Sequence, residues 1–210
     1  MEVGIIGLPL AGKTTIFNAL TRSRAETAAF SSGRYEAHTA VVDVPDSRVD
    51  TLSALFSPRK TTWAKIQYND ISGMDAGRAS NGGLDAQILN VLSKCDALLQ
   101  VIRAFADEGV PHAAGRIDPR RDLAMLRQEL ILSDLVIVER RIERIQAGLK
   151  KARSAEGPAL QQELALMERF RAALEEERPI ADLSLTNEER ALIRGFQFLT
   201  LKPLMVILNS

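Results

Sequence analysis

One run of eight residues limits this chain more than any other feature. Gly7-Leu8-Pro9-Leu10-Ala11-Gly12-Lys13-Thr14 follows the short apolar segment Val3, Ile5 and Ile6, and it precedes Ile16, Phe17 and Leu20 at helical spacing. A buried strand, a glycine loop and a helix in that order form the setting a phosphate-binding loop needs. Gly7 and Gly12 let the backbone turn tightly and bring N–H groups against anionic oxygens, and the helix that follows adds its positive N-terminal end. In this reading Leu10, Ala11, Gly12, Lys13, Thr14 and Thr15 bind the nucleotide. Lys13 reaches the β- and γ-phosphates and contributes to catalysis, and the Thr14 hydroxyl is a ligand for Mg2+.

A second element is Asp70-Ile71-Ser72-Gly73, at the end of a stretch (64–70) whose alternation reads as a half-exposed strand. An Asp at a strand end holds Mg2+ through water, and a Gly three residues on gives its backbone N–H to a γ-phosphate. Asp70 is therefore a metal candidate and Gly73 a nucleotide-binding one. Met74 stands where many GTPases place a water-orienting Gln, and an apolar side chain cannot orient water. Hydrolysis then needs another group or is slow. His112, in a loop after the strong apolar strand at 97–103, is the catalytic candidate.

The remaining pattern alternates strands with helices: strands at 39–44, 97–103 and 204–208, and short helices at 49–56 and 88–95. This predicts an α/β fold, a doubly wound, mostly parallel sheet. Residues 122–178 depart from it. Ile131, Leu135, Val138, Ile142, Ile145 and Leu149 step by alternating fours and threes, and Leu160, Leu164, Met167, Phe170 and Leu174 continue similarly after Gly157-Pro158. This is heptad spacing, and it predicts an inserted antiparallel helical coiled-coil hairpin. The expected domains are a first part of a nucleotide-binding domain (1–121), the insertion (122–180), and a return to the first domain (181–210) with its strand at 204–208.

Charge narrows the partners. The 210 residues carry 27 Lys and Arg against 27 Asp and Glu, so no global attraction to nucleic acid or membrane follows. The hairpin arms differ locally, with net +4 over 116–153 and −3 over 154–178. Mutual attraction of the arms explains this; so does a basic face for RNA. Cys95 is the lone cysteine, so no internal disulfide forms. No apolar run reaches the roughly 20 residues that span a bilayer, and the N-terminus lacks the basic region of a secretory signal. A cytoplasmic protein with no membrane partner is expected.

These residues bring a family into view. The chain resembles the YchF subfamily of Obg-like P-loop NTPases in Gly4–Pro9, Val42-Asp43-Val44-Pro45-Asp46, Asp70–Gly73, Asp96-Ala97, Val101-Ile102-Arg103, Asp118-Pro119, Glu129–Leu135 and Phe198–Pro203. The resemblance implies a G domain with a coiled-coil insertion and a following TGS domain, ATP more than GTP as the nucleotide, Mg2+, and the ribosome or rRNA as partner. It implies that Asn209 is the Asn of the base-reading motif, that His112 assists hydrolysis, and that the chain is a piece of a longer protein lacking the TGS domain. Two departures stand out. The family's loop usually reads Pro-Asn-Val-Gly-Lys-Ser, which puts Leu10 in place of an amide. In the first switch, Arg34 falls where a Mg2+-binding Thr is expected; Ser31 or Ser32 would substitute only if the loop shifts. Three functions follow: an ATP-hydrolysing switch on a ribosome-linked partner, a slow or non-hydrolysing nucleotide-binding adaptor working through the coiled coil, or a GTPase.

Overall fold

A computed structural model describes residues 1–22, 37–71, 84, 86–107, 109–112, 115–150 and 157–210. Ser31, Ser32, Arg34, Gly73, Met74 and the glycines at 77, 82 and 83 lie outside the described residues. The elements in chain order are β1 (Glu2–Ile6), α1 (Lys13–Thr21), β2 (Ala37–Asp43), α2 (Ser47–Phe56), β3 (Lys65–Ile71), α3 (Ala86–Lys94), β4 (Ala97–Arg103), α4 (Pro119–Leu149), α5 (Gly157–Glu175), α6 (Asn187–Leu192) and β5 (Leu204–Asn209). They divide into two compact units.

The first unit comprises Met1–Met74, Cys95–Ile117 and Leu204–Ser210. Its sheet has the order β2-β3-β1-β4-β5. β1 pairs in parallel with β3 and with β4, β4 pairs in parallel with β5, and β2 runs antiparallel to β3 at one edge. The predicted α/β class with a mostly parallel sheet is what forms. β1 is central, and a strand covered on both faces needs apolar side chains on both; Ile5 and Ile6 are fully buried. Phe17 of α1 joins Val3, Ile5, Ala11, Leu99 and Val101 in the core of this unit.

The helix expected at 49–56 forms as α2, capped by the Asp46 side chain, which accepts from the Arg48 N–H at 2.9 Å. Its apolar stripe does not enter the core. Leu52 is 54% exposed, Leu55 72% and Phe56 72%. Spacing identifies a helical face but carries no information about what covers it.

The second unit comprises Asp75–Lys94 and Asp118–Pro203. Asp118 caps α4 by accepting from the Arg121 N–H, and Pro119 occupies the first turn, where a missing N–H costs nothing. The heptad stripe packs as its spacing demands: Ile131, Val138, Ile142, Ile145, Met167, Phe170 and Leu174 are buried together, with Leu135, Leu149, Leu160 and Leu164 against them. Gln128 pairs with Glu177 and Arg141 with Glu163, and Gly148 faces Leu160, so α4 and α5 run antiparallel as a hairpin. The Arg141 guanidinium grips Glu163 through two 2.7 Å bonds, an attraction between the oppositely charged arms.

The hairpin's base is locked by Asp134. Its carboxylate, fully buried, accepts from the Leu199 N–H at 2.8 Å, the Thr200 N–H at 2.8 Å and the Thr200 hydroxyl at 2.7 Å. These bonds pin the segment that delivers Ile193 and Phe198 to the hairpin core. Burial pushes the Asp134 carboxyl from 3.8 up to about 6, against the pull of its three donors and of Lys202. A raised folded-state pKa means that the folded chain holds the proton more tightly. Its contribution is complete below about pH 4 and is lost as pH rises through about 6. Urea denaturation of wild type and Asp134→Ala therefore gives a stability gap that is widest near pH 4. The gap narrows by roughly 2–3 kcal/mol by pH 7; a gap independent of pH would show that burial does not set this pKa.

Candidate functional site

The parallel pairings bring the carboxyl ends of β1, β3, β4 and β5 to one edge of the first unit, where open α/β sheets place their ligands. The loop 7–12 leaves β1 at this edge and runs directly into α1, the strand–loop–helix setting the sequence predicts. Gly7 is required by proximity: a Cβ there would drive into the Val101 carbonyl of β4. Gly12 is required by conformation as well. It sits at φ 91°, and a Cβ would meet the Asn209 side-chain amide. No side chain caps α1, whose cap position is held by Gly12; a helix end of this kind is suited to an anion.

Lys13 is buried and folds back over the loop, where its Nζ donates to the Gly7 and Leu8 carbonyls at 3.0 Å each. The loop thus holds this cation against its own backbone. Thr14 donates its hydroxyl to Asp70 Oδ2 at 2.7 Å, which joins the two predicted metal-binding residues from α1 and β3. Asp70 is completely buried, and its Oδ1 has no hydrogen-bond partner among the described residues. An orphaned carboxylate oxygen of this kind is costly unless something completes it. A hydroxyl and a carboxylate are hard oxygen donors, so this pair fits Mg2+. Ala11 is buried in the loop, and Thr15 is exposed at the start of α1.

Leu10 occupies the left-handed region at φ 62°. A β-carbon makes that conformation unfavourable for most residues and least so for Asn and Gly. The Asn usual in the resembled family would sit there without the penalty; Leu10 bears it. Asn209 ends β5, and its Nδ2 donates to the Ala11 carbonyl at 3.0 Å, so the residue assigned to base reading also braces the phosphate loop. His112 is half-exposed in the loop after β4, and its carbonyl accepts from the Gly115 N–H at 3.0 Å.

A family model described as "50S ribosome-binding GTPase" matches residues 2–139. The chain belongs to this family of ribosome-binding GTPases. It is 34% identical over 209 residues to the ribosome-binding ATPase YchF of Bacillus subtilis (strain 168), covering 100% of this chain and 56% of that relative. It is 38% identical over 208 residues to the ribosome-binding ATPase YchF of Escherichia coli O157:H7, covering 99% and 56%. The solved structure of the Schizosaccharomyces pombe YchF GTPase superposes with a TM-score of 0.77 at 32% identity, over 100% of this chain and 56% of that one. The chain thus spans about half the length of the curated relatives it matches. No helix among the described residues is long and apolar enough to cross a membrane.

Two features of this site escaped the sequence reading. His38 of β2 is the register partner of Asp70, and its ring lies 6.5 Å from Phe17; only the strand pairing reveals it. Arg103 belongs to a stretch that carries the family resemblance, but what its side chain holds emerges only from its contacts to the loop that follows it. The left-handed backbone at Leu10 generates a direct expectation. Leu10→Asn raises stability by about 0.5–1 kcal/mol in thermal denaturation, since the amide side chain tolerates that conformation; a destabilised variant would mean that the leucine side chain contributes more packing than the backbone loses.

Proposed function

We propose that this chain is the nucleotide-binding and hydrolysing part of an ATP-driven switch linked to the ribosome. The observation that carries the reading is the meeting of Thr14 and Asp70 beside a loop whose lysine is bonded to its own backbone. In this reading an incoming triphosphate takes Lys13 from the Gly7 and Leu8 carbonyls, and the backbone N–H groups of Leu10 to Thr15 wrap the phosphate oxygens. Thr14 and Asp70 would hold Mg2+, which would supply positive charge against the triphosphate. Gly73 donates its backbone N–H to the γ-phosphate, and His112 orients the attacking water in place of a glutamine. Asn209 braces the loop and begins the wall for the base.

ATP is preferred to GTP here because the bacterial relatives are described as ATPases. The family description and that of the fission yeast protein say GTPase, so the choice is one of substrate rather than of site. Turnover is slow, because a histidine delivered from a loop is a less fixed water guide than a glutamine adjoining the γ-phosphate. The domain reading that goes with this function assigns 1–121 and 181–210 to the nucleotide domain and 122–180 to a coiled-coil insertion that contacts the ribosome or rRNA. A cytoplasmic location follows from that partner.

Isothermal titration and a phosphate-release assay on the same preparations separate the steps. Lys13→Ala loses ATP binding and turnover together, whereas His112→Ala keeps ATP affinity and loses turnover. Turnover undiminished in Lys13→Ala would remove the hydrolase reading. ATP binding with no Mg2+-dependent phosphate release in the wild type would favour the adaptor, and tighter binding of GTP than of ATP would reassign the substrate.

A further inference from the structure

Arg103 closes β4 and is buried to 3% exposure, yet no carboxylate answers its charge in any hydrogen bond it makes among the described residues. Its guanidinium instead faces a single short loop. Nε donates to the Phe105 carbonyl at 3.2 Å, Nη1 to the Pro111 carbonyl at 3.2 Å, and Nη2 to the Val110 carbonyl at 2.8 Å and the Asp107 carbonyl at 3.4 Å. The Phe105 ring lies 4.5 Å from the guanidinium carbon. One planar cation thus collects four backbone oxygens, and a rigid fork of five donors suits such a ring where a single ammonium does not. The Asp107 side chain tightens the same loop by accepting from the Gly109 N–H at 2.8 Å.

The residue after the last clamped carbonyl is His112. On the other side, Arg103 is the register partner of Asn209, whose amide holds the Ala11 carbonyl of the phosphate loop. The Ala104 N–H donates to the Asn209 carbonyl at 2.7 Å and continues that tie. A continuous set of hydrogen bonds therefore runs from the phosphate loop through Asn209 and the end of β4 to the backbone that carries His112.

We propose that Arg103 is a positioning residue for nucleotide hydrolysis, its guanidinium fixing the backbone of Phe105, Asp107, Val110 and Pro111 so that His112 is presented to the phosphate edge of the sheet. The proposal rests on the reading of His112 as the group that assists hydrolysis, and it acts on turnover rather than on nucleotide affinity. A lysine at 103 keeps the charge but cannot satisfy four divergent carbonyls, so the loop loosens while the strand stays paired.

The test is a double-mutant cycle on ATP turnover and affinity with Arg103→Lys, His112→Ala and their combination, accompanied by thermal denaturation. Arg103→Lys is expected to lower kcat by about tenfold with Kd for ATP within about twofold of wild type, and to lower kcat no further in the His112→Ala background. Phe105→Leu, which removes only the half-buried ring beneath the guanidinium, gives a smaller loss of kcat in the same direction, likewise absent when His112 is alanine; it tests the proposal should Arg103→Lys fold poorly. Losses that add fully to that of His112→Ala, or Arg103→Lys turnover equal to wild type while His112→Ala is impaired, overturn the positioning role. Wild-type turnover in His112→Ala overturns instead the reading on which the proposal rests.

Discussion

Parallel pairing of β1 with both of its neighbours is the constraint on which the site depends. Because β3 and β4 run the same way as β1, the loop that follows each strand leaves from the same edge. Asp70 at the end of β3 then comes within a hydrogen bond of Thr14 at the start of α1, though 56 residues separate them. The same parallel order carries β5 alongside β4 and sets Asn209 against the phosphate loop. Reversing either neighbour would move its chemistry to the far end of the sheet. β2, the antiparallel strand among those described, lies at the edge and pairs with β3.

The loop itself stores a tension that ligand binding can release. Lys13 is buried with its charge directed at two backbone carbonyls, Asp70 is buried with one oxygen unanswered, and Leu10 is held in a backbone region that a β-branchless but bulky side chain disfavours. The unanswered Asp70 oxygen and the left-handed Leu10 backbone cost stability, and in the proposed function Lys13 and Asp70 are the groups that a magnesium triphosphate engages. Conformational strain and unsatisfied polar atoms concentrated at one strand edge are a physical mark of a binding site rather than of a packing core.

Much of this was legible in the residues, and the reasons differ from element to element. β4 was readable to its last residue because a strand buried on both faces is dominated by apolar residues, here Ala97, Leu98, Leu99, Val101 and Ile102 around a single internal polar residue, Gln100. The hairpin was readable because a seam between two helices repeats strictly, and Ile131 to Leu149 keep the repeat. α2 was readable as a helix but its exposure was not, since the spacing of Leu52, Leu55 and Phe56 is silent about what lies against them. Asp134 and Thr200 stand 66 residues apart and carry no local signature, so a buried lock at the hairpin base could be found only in three dimensions. Arg103 read as the polar end of an apolar strand. Its contacts go to backbone carbonyls, which every residue possesses, and no choice of side chains in the loop announces them.

The central claim is that Thr14 and Asp70 form the metal-holding corner of a triphosphate site. Its most direct test is ATP affinity measured by calorimetry with Mg2+ and with excess chelator, in the wild type and in Asp70→Asn. The account predicts that Mg2+ tightens ATP binding in the wild type and that this gain largely disappears in Asp70→Asn, while affinity in chelator stays similar. An undiminished Mg2+ gain in Asp70→Asn would contradict it.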